Sequence, residues 1–285
     1  MSTDQYGIGC VVNYCTNEYP FLAPCLTQLQ SFCQKIVVPV CDHFFDGTAE
    51  NQALLERSKA ENRHRATFLT WKFDRNERTG DCGLYYWEGK ARWLGVEQLR
   101  DCEFVLFLDV DEVVDSVRFV HWLNNFKARV ELPDVGPKEL TFRDLDALKF
   151  VAYWYFRDAA YQAKTLEEAG VMVRRRHLTA EKVINPGART SLFKMIDGTR
   201  GERLMGLDGR PMVHHYSWVR NKQQMLKKVR SWGHARDRNW EVLVEREFNK
   251  PYFSGIDFIH HYRFSQVEPF VQINLAEPDP ALQAV

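Results

Sequence analysis

Three carboxylates fall within four positions in Asp109-Val110-Asp111-Glu112. They follow directly on an apolar run, Phe104-Val105-Leu106-Phe107-Leu108. Like charges at this spacing repel, and taking them out of water is costly unless a cation joins them. Donors made only of oxygen suit a hard divalent ion, Mg2+ or Mn2+. A continuous apolar run with polar ends predicts a strand buried on both faces, as in a parallel sheet. Open α/β sheets gather ligands at the carboxyl ends of such strands. The acidic cluster therefore belongs at the mouth of a binding crevice.

The residues ahead of the cluster supply the elements that would hold it there. Strands are expected at 8–14, 35–40, 66–73 and 103–108, and helices at 21–32, 48–65 and 85–100, with a polar loop at 74–83. Such β-α alternation implies a mostly parallel sheet with right-handed crossovers. After the cluster the pattern predicts a helix at 117–130, a loop at 131–137 and an aromatic-rich strand at 148–156. Shorter strands are expected at 171–176 and 191–196 around Pro186-Gly187, then a strand at 211–218 and helices at 221–231 and 240–248. The proline-bearing tail from Glu268 is expected to lie over the surface.

Composition narrows the class. The 285 residues carry 38 basic and 38 acidic side chains, a formal net charge of zero, which argues against bulk attachment to nucleic acid or anionic lipid. No apolar stretch is long enough to span a membrane, and the N-terminus lacks the basic and apolar regions of a signal peptide. The seven cysteines, all before residue 103, include no Cys-x-x-Cys pair, so neither a zinc site nor a disulfide framework is expected. Together these features point to a reducing cytoplasm, or a host cytoplasm if the chain is viral.

An Asp-x-Asp closing an apolar strand about a hundred residues into a β-α chain resembles the GT-A-fold, metal-dependent glycosyltransferases of the family-2 kind. The resemblance covers residues 7–115 and, more loosely, 213–234. It implies an α/β fold with a mostly parallel central sheet sandwiched by helices. It also implies one domain over 1–285, with a nucleotide-sugar half (1–115) and a mixed acceptor half (116–285) ending in helices. It assigns Asp109 and Asp111 to a Mn2+ or Mg2+ ion beneath the diphosphate of a nucleotide-sugar donor, a UDP-sugar foremost, with Val110 between them. Cys15-Thr16-Asn17-Glu18 is similar to the family's first-strand loop, so Thr16 and Glu18 are expected on the donor. Asp42, in Asp42-His43-Phe44-Phe45-Asp46-Gly47-Thr48, matches the aspartate that contacts the base, while Asp46 reads as the cap of the following helix. Arg92 resembles a phosphate-binding arginine. His214-His215-Tyr216-Ser217-Trp218 is similar to a C-terminal metal-binding element; alternation along a strand puts His215 with Val213 and sends His214 to the other face.

Other features leave more open. An inverting transfer needs a carboxylate base near the acceptor hydroxyl. Asp158 is the nominal choice, with Glu181 and Glu202 as competitors. The acceptor would be a glycan, or a modified DNA base given the basic run between Arg220 and Arg238; Arg174-Arg175-Arg176 is a second basic spot. The outward half of Tyr153-Trp154-Tyr155-Phe156 could stack on a sugar or a base. Leu108-Asp109-Val110-Asp111 also resembles the motif of haloacid-dehalogenase phosphatases, although Glu112 stands where a small residue is usual and four elements precede it. A third possibility is a glycan- or nucleic-acid-binding protein without catalysis.

Overall fold

The computed structural model describes residues 6–74, 76–77, 85–132, 136–184, 189–196, 203–232, 234–235, 237–250 and 253–276. Its first part alternates β1 (Ile8–Asn13), α1 (Tyr19–Leu29), β2 (Lys35–Cys41), α2 (Gln52–Asn62), β3 (Thr67–Trp71), α3 (Tyr85–Glu97) and β4 (Phe104–Asp109). Then come β5 (Glu112–Val114), α4 (Ser116–Asn125), β6 (Ala128–Leu132), β7 (Gly136–Leu140), β8 (Ala147–Phe156), β9 (Asp158–Ala163) and β10 (Glu167–Arg174). The last part holds α5 (Ala180–Ile184), α6 (Arg189–Met195), β11 (Val213–Trp218), α7 (Lys222–Ser231), α8 (Trp240–Phe248) and β12 (Phe264–Gln266).

Among the described residues ten strands form one mixed sheet in the order β12-β9-β8-β10-β4-β1-β2-β3, with β11 pairing β8 and β5 beside that path. Strands β4, β1, β2 and β3 are parallel. The direction of winding reverses between β1 and β4, which makes their carboxyl ends the switch point where open α/β sheets bind ligands. Asn13 and Asp109 pair directly across that point.

Burial on both faces explains the apolar run of β4. Phe104, Leu106 and Leu108 join Ile8, Cys10 and Val12 of β1 in one core layer, closed by Phe21 and Leu26 of α1 and Phe119 and Trp122 of α4. Val105 and Phe107 join Val11 and Val37 in the opposite layer, closed by Val96 of α3, Val183 of α5 and Leu192 and Phe193 of α6. Each such fully buried side chain contributes about 1.5–3 kcal/mol. Helix α3 lies directly on β1 because residue 95 is glycine: a Cβ there would sit 2.6 Å from Val11 Cγ1. A third cluster joins Trp154, Phe156 and Trp218 to Met225 and Val229 of α7 and Trp240 and Val244 of α8. It holds the C-terminal helices against the sheet.

Several elements differ from the sequence expectation. Residues 189–195 form helix α6 rather than a strand, because Leu192 and Phe193 pack one helical face on the sheet. Helix α2 starts after Asn51, whose side chain accepts from the Leu54 amide, so Asp46 does not cap it. Asp46 instead closes a tight turn by accepting from the Thr48 amide at 2.8 Å. Residues 131–132 and 136–137, expected in a loop, belong to the antiparallel strands β6 and β7, and α4 stops at Asn125. Strand β9 had no visible sequence signal. Pro186-Gly187, Cys82, Glu202 and Arg236 lie outside the described residues. The other six cysteines are free thiols, five of them buried.

Candidate active site

A cleft of about 310 Å³ opens at the switch point, a volume typical of small-molecule sites. Asp109, Asp111, His215, Lys228 of α7, Trp71 and Trp232 are among the residues that line it. Pairing delivers His215 there: β11 runs antiparallel to β5 with His215 opposite Glu112, and parallel to β8 with His215 opposite Trp154. The C-terminal part of the chain is thereby stitched next to the acidic turn.

Asp111 is only 1% exposed. Its Oδ2 accepts from Lys228 Nζ at 2.7 Å and from an Arg220 Nη at 3.0 Å. The same two cations donate to Glu18 Oε1, at 3.0 and 2.7 Å. Two carboxylates and two cations thus close a buried ring of charge. Arg220 is fixed by the Tyr216 and Ser217 carbonyls and lies over the Phe21 ring at 4.8 Å. Burial alone would raise the Asp111 carboxyl, but the charges of Lys228 and Arg220 outweigh it and hold it far below the usual carboxylate range. Glu18 goes the other way, raised by burial and by Asp111 despite both cations. Burial works against the charge on Lys228, yet Asp111 and Glu18 keep its ammonium raised above the ordinary lysine value.

The other oxygen of Asp111 faces His215 Nε2 at 3.7 Å. Burial pushes His215 down to about 4, so its imidazole is neutral at neutral pH. His215 Nδ1 is buried with no hydrogen-bond partner among the described residues. His214 points away: its Nδ1 meets the Tyr155 hydroxyl at 2.7 Å, and its ring stacks on Phe270 at 4.1 Å.

Asp109 sits in a second, adjoining cluster. Arg92 and Arg189 each reach it at 3.5 Å. Arg189 also grips both oxygens of Glu112, which in turn accepts from the Asp109 amide at 3.0 Å. Burial raises Glu112 to about 7 even with Arg189 in place. Glu88, one helical turn before Arg92, is likewise raised by burial and lines the cleft.

Among the described residues no three His, Cys, Asp or Glu side chains are grouped to close around a metal ion. Mg2+-type ions are commonly held by one or two carboxylates and complete their shell with substrate phosphates. Asp111 Oδ1 and His215 Nε2 form such an open edge. Their separation of 3.7 Å is too long for a hydrogen bond, yet both atoms can reach one ion at about 2.1 Å. The neutral imidazole leaves its buried Nδ1 without a hydrogen-bond partner among the described residues. The donor set fits a hard divalent cation.

Other residues singled out from sequence have different surroundings. Asp42 is not on the cleft wall; it accepts from the Phe73 amide at 2.8 Å and meets His43 Nδ1 at 2.9 Å. Burial opposes its charge, but these bonds win and lower it. Asp42 therefore orients His43, which does line the cleft. Thr16 is buried and donates its amide and hydroxyl to Glu50, so it braces the loop rather than facing a donor. Val110 is a core side chain whose amide donates to Asn13 O at 3.0 Å. Arg92 is buried behind Asp109. Asp158 is exposed, outside the cleft, and accepts from the Ala160 amide at 2.8 Å in its own turn. Glu181 is exposed on α5.

The basic run is used internally. Lys222 pairs with Glu245, Arg230 with Glu241, and Lys227 lies over the Phe44 ring, while Arg220 and Lys228 belong to the buried ring. Arg174 and Arg176 pair with Asp146. Arg189 and Glu88 were missed: Arg189 has no motif around it, and Glu88 reads as an ordinary helical carboxylate.

No family model matches the chain, and no curated protein matches it. Solved structures do. A glycosyltransferase involved in the glycosylation of the major capsid of PBCV-1 is 12% identical, with 62% of this chain covering 63% of that one at a TM-score of 0.27. An inositol-1-phosphate CTP transferase from T. maritima is 6% identical, with 59% of this chain covering 71% of that one at a TM-score of 0.32. A mannosyltransferase from Pyrobaculum calidifontis, in complex with GDP-Man and Mn2+, is 15% identical, with 78% of this chain covering 60% of that one at a TM-score of 0.38. The chain thus spans less than two thirds of the first and the third. All three scores are low, and none bears on this chain's substrate. No helix among the described residues is long and apolar enough to cross a membrane.

Proposed function

We propose that the chain transfers a sugar from a nucleotide-diphosphate sugar, a UDP-sugar foremost, to a hydroxyl of a glycan acceptor, with Mn2+ or Mg2+ as cofactor. One observation carries this reading. The open Asp111–His215 edge, the flexible ammonium of Lys228 and an aromatic wall meet in one cleft at the switch point of a parallel sheet.

A divalent ion held at the Asp111–His215 edge would offset the charge that grows on the departing diphosphate. The protein's own groups do the rest. Lys228 and Arg220 supply two more positive charges, Lys228 held by carboxylates and Arg220 also by backbone carbonyls. Phe44, Phe45 and Trp71 offer ring faces to a nucleobase. Burial of His215 as a neutral imidazole keeps its lone pair available at neutral pH. Asp158 does not line the cleft, and Glu88 does, so Glu88 is preferred as the candidate base. Glu88 lines the cleft, and burial raises its carboxyl although Arg92, 3.3 Å away, opposes the rise.

The test is a thermal-shift panel of sugar nucleotides with and without Mn2+, because ligands of the native state raise its melting temperature. One sugar nucleotide is expected to stabilise the chain only with Mn2+ and to be hydrolysed or transferred. If none shifts the melt and none is turned over, sugar transfer is the wrong reading.

A further inference from the structure

Lys228 and Arg220 hold the carboxylate that a divalent ion would need. Arg220 cannot move, because its guanidinium is tied to two backbone carbonyls, to Glu18 and to Phe21. Lys228 can: its ammonium lies on the cleft wall at the end of a four-carbon stem, bound only through carboxylate oxygens among its described contacts. We propose that Lys228 is a built-in competitor of the divalent ion, and that the diphosphate of the incoming nucleotide frees Asp111 by drawing the Lys228 ammonium onto itself. Metal and nucleotide then bind as a pair, each weakly alone.

This rests on the donor reading above and adds an order of assembly to it. The charges account for it. With Lys228 on Asp111, an arriving ion meets a carboxylate already carrying two positive partners within 3.0 Å. A diphosphate offers Lys228 an anion richer in charge than the Glu18–Asp111 pair it shares with Arg220, and so removes the competitor. Linkage requires the effect to be reciprocal: whatever factor the nucleotide adds to metal affinity, the metal adds to nucleotide affinity.

The experiment titrates Mn2+, followed by its electron paramagnetic resonance signal, into wild type, Lys228→Met and Lys228→Arg, each alone and with saturating UDP. Melting curves check that each variant is folded. Wild type should bind Mn2+ weakly alone, and on the order of tenfold or more tightly with UDP. Lys228→Met should bind Mn2+ alone at least several-fold more tightly than wild type and show a smaller gain from UDP. Lys228→Arg, which keeps the competing charge, should stay near wild type. If folded Lys228→Met binds Mn2+ alone no better than wild type while wild type with UDP binds it well, the competitor role is overturned and the donor reading survives. If wild type binds no Mn2+ even with UDP or any other nucleoside diphosphate, both fall together.

Discussion

Replacing Asp111 with Asn removes one charge from the buried ring and leaves two buried cations sharing Glu18. Breaking a buried ion pair by removing one partner costs about 3–5 kcal/mol. The low end applies here, because Glu18 stays within 3.0 Å of Lys228 and 2.7 Å of Arg220 and can absorb part of the imbalance. A loss of about 3 kcal/mol in a chain of 285 residues lowers the melting temperature by roughly 5 °C. The pH of the measurement follows from the sign of the shift. The folded carboxyl is depressed below its ordinary 3.8, so its contribution is complete above that value and is lost only as pH falls through the depressed one. At pH 7 all of it is present. Activity is lost separately: transfer per folded molecule should fall by about 100-fold or more. Urea titration at pH 7 measures the first quantity, and initial rates corrected for folded fraction measure the second. An Asp111→Asn protein that melts within about 1 °C of wild type would refute the buried ring. One that melts low but transfers at the normal rate would refute the role of Asp111 in the reaction.

Glu88→Gln should cut the rate of transfer with little effect on Mn2+ or UDP binding, whereas Asp158→Asn should leave rate and stability within about twofold of wild type; the opposite pattern in steady-state kinetics would restore Asp158 as the base. Burial raises Glu50 from 4.5 to about 7, so wild type loses stability as pH climbs through that window. Glu50→Gln should therefore gain on wild type between pH 5 and 8, by at most about 3 kcal/mol, and urea midpoints that differ equally at both pH values would contradict it. Gly95→Ala places a Cβ 2.6 Å from Val11 and should cost about 1–3 kcal/mol. It should also raise the donor KM, because α3 carries Arg92 and Glu88 to the cleft, and a melting temperature equal to wild type would show that α3 has room to spare.

The parallel block was legible because burial on both faces writes itself into the sequence as unbroken apolar runs at residues 8–12 and 104–108. The side on which His215 emerges was legible too, since a strand alternates with period two. The partners of Asp111 were not. Arg220 and Lys228 lie 109 and 117 positions away, and no local pattern announces a contact made by folding. The Lys and Arg residues of 220–238 looked like a solvated or nucleic-acid face, because charge composition does not say where the opposite charges will be. Asp42 and Thr16 fell on the right loops, but their side chains serve those loops through local hydrogen bonds. The strand expected at 191–196 falls within helix α6 over most of its length, because a short segment with two adjacent apolar side chains fits either period.

The separation of acid from base along the chain also has a meaning during synthesis. Asp111 leaves the ribosome about a hundred residues, and Glu18 about two hundred, before Arg220 and Lys228, roughly 5–20 s for the shorter gap at ordinary elongation rates. Through that interval Glu18 and Asp111 would lack the two cations that pair with them in the folded chain. A chain truncated before Arg220 is left in that condition permanently, so the final third of the polypeptide completes the electrostatics of the first.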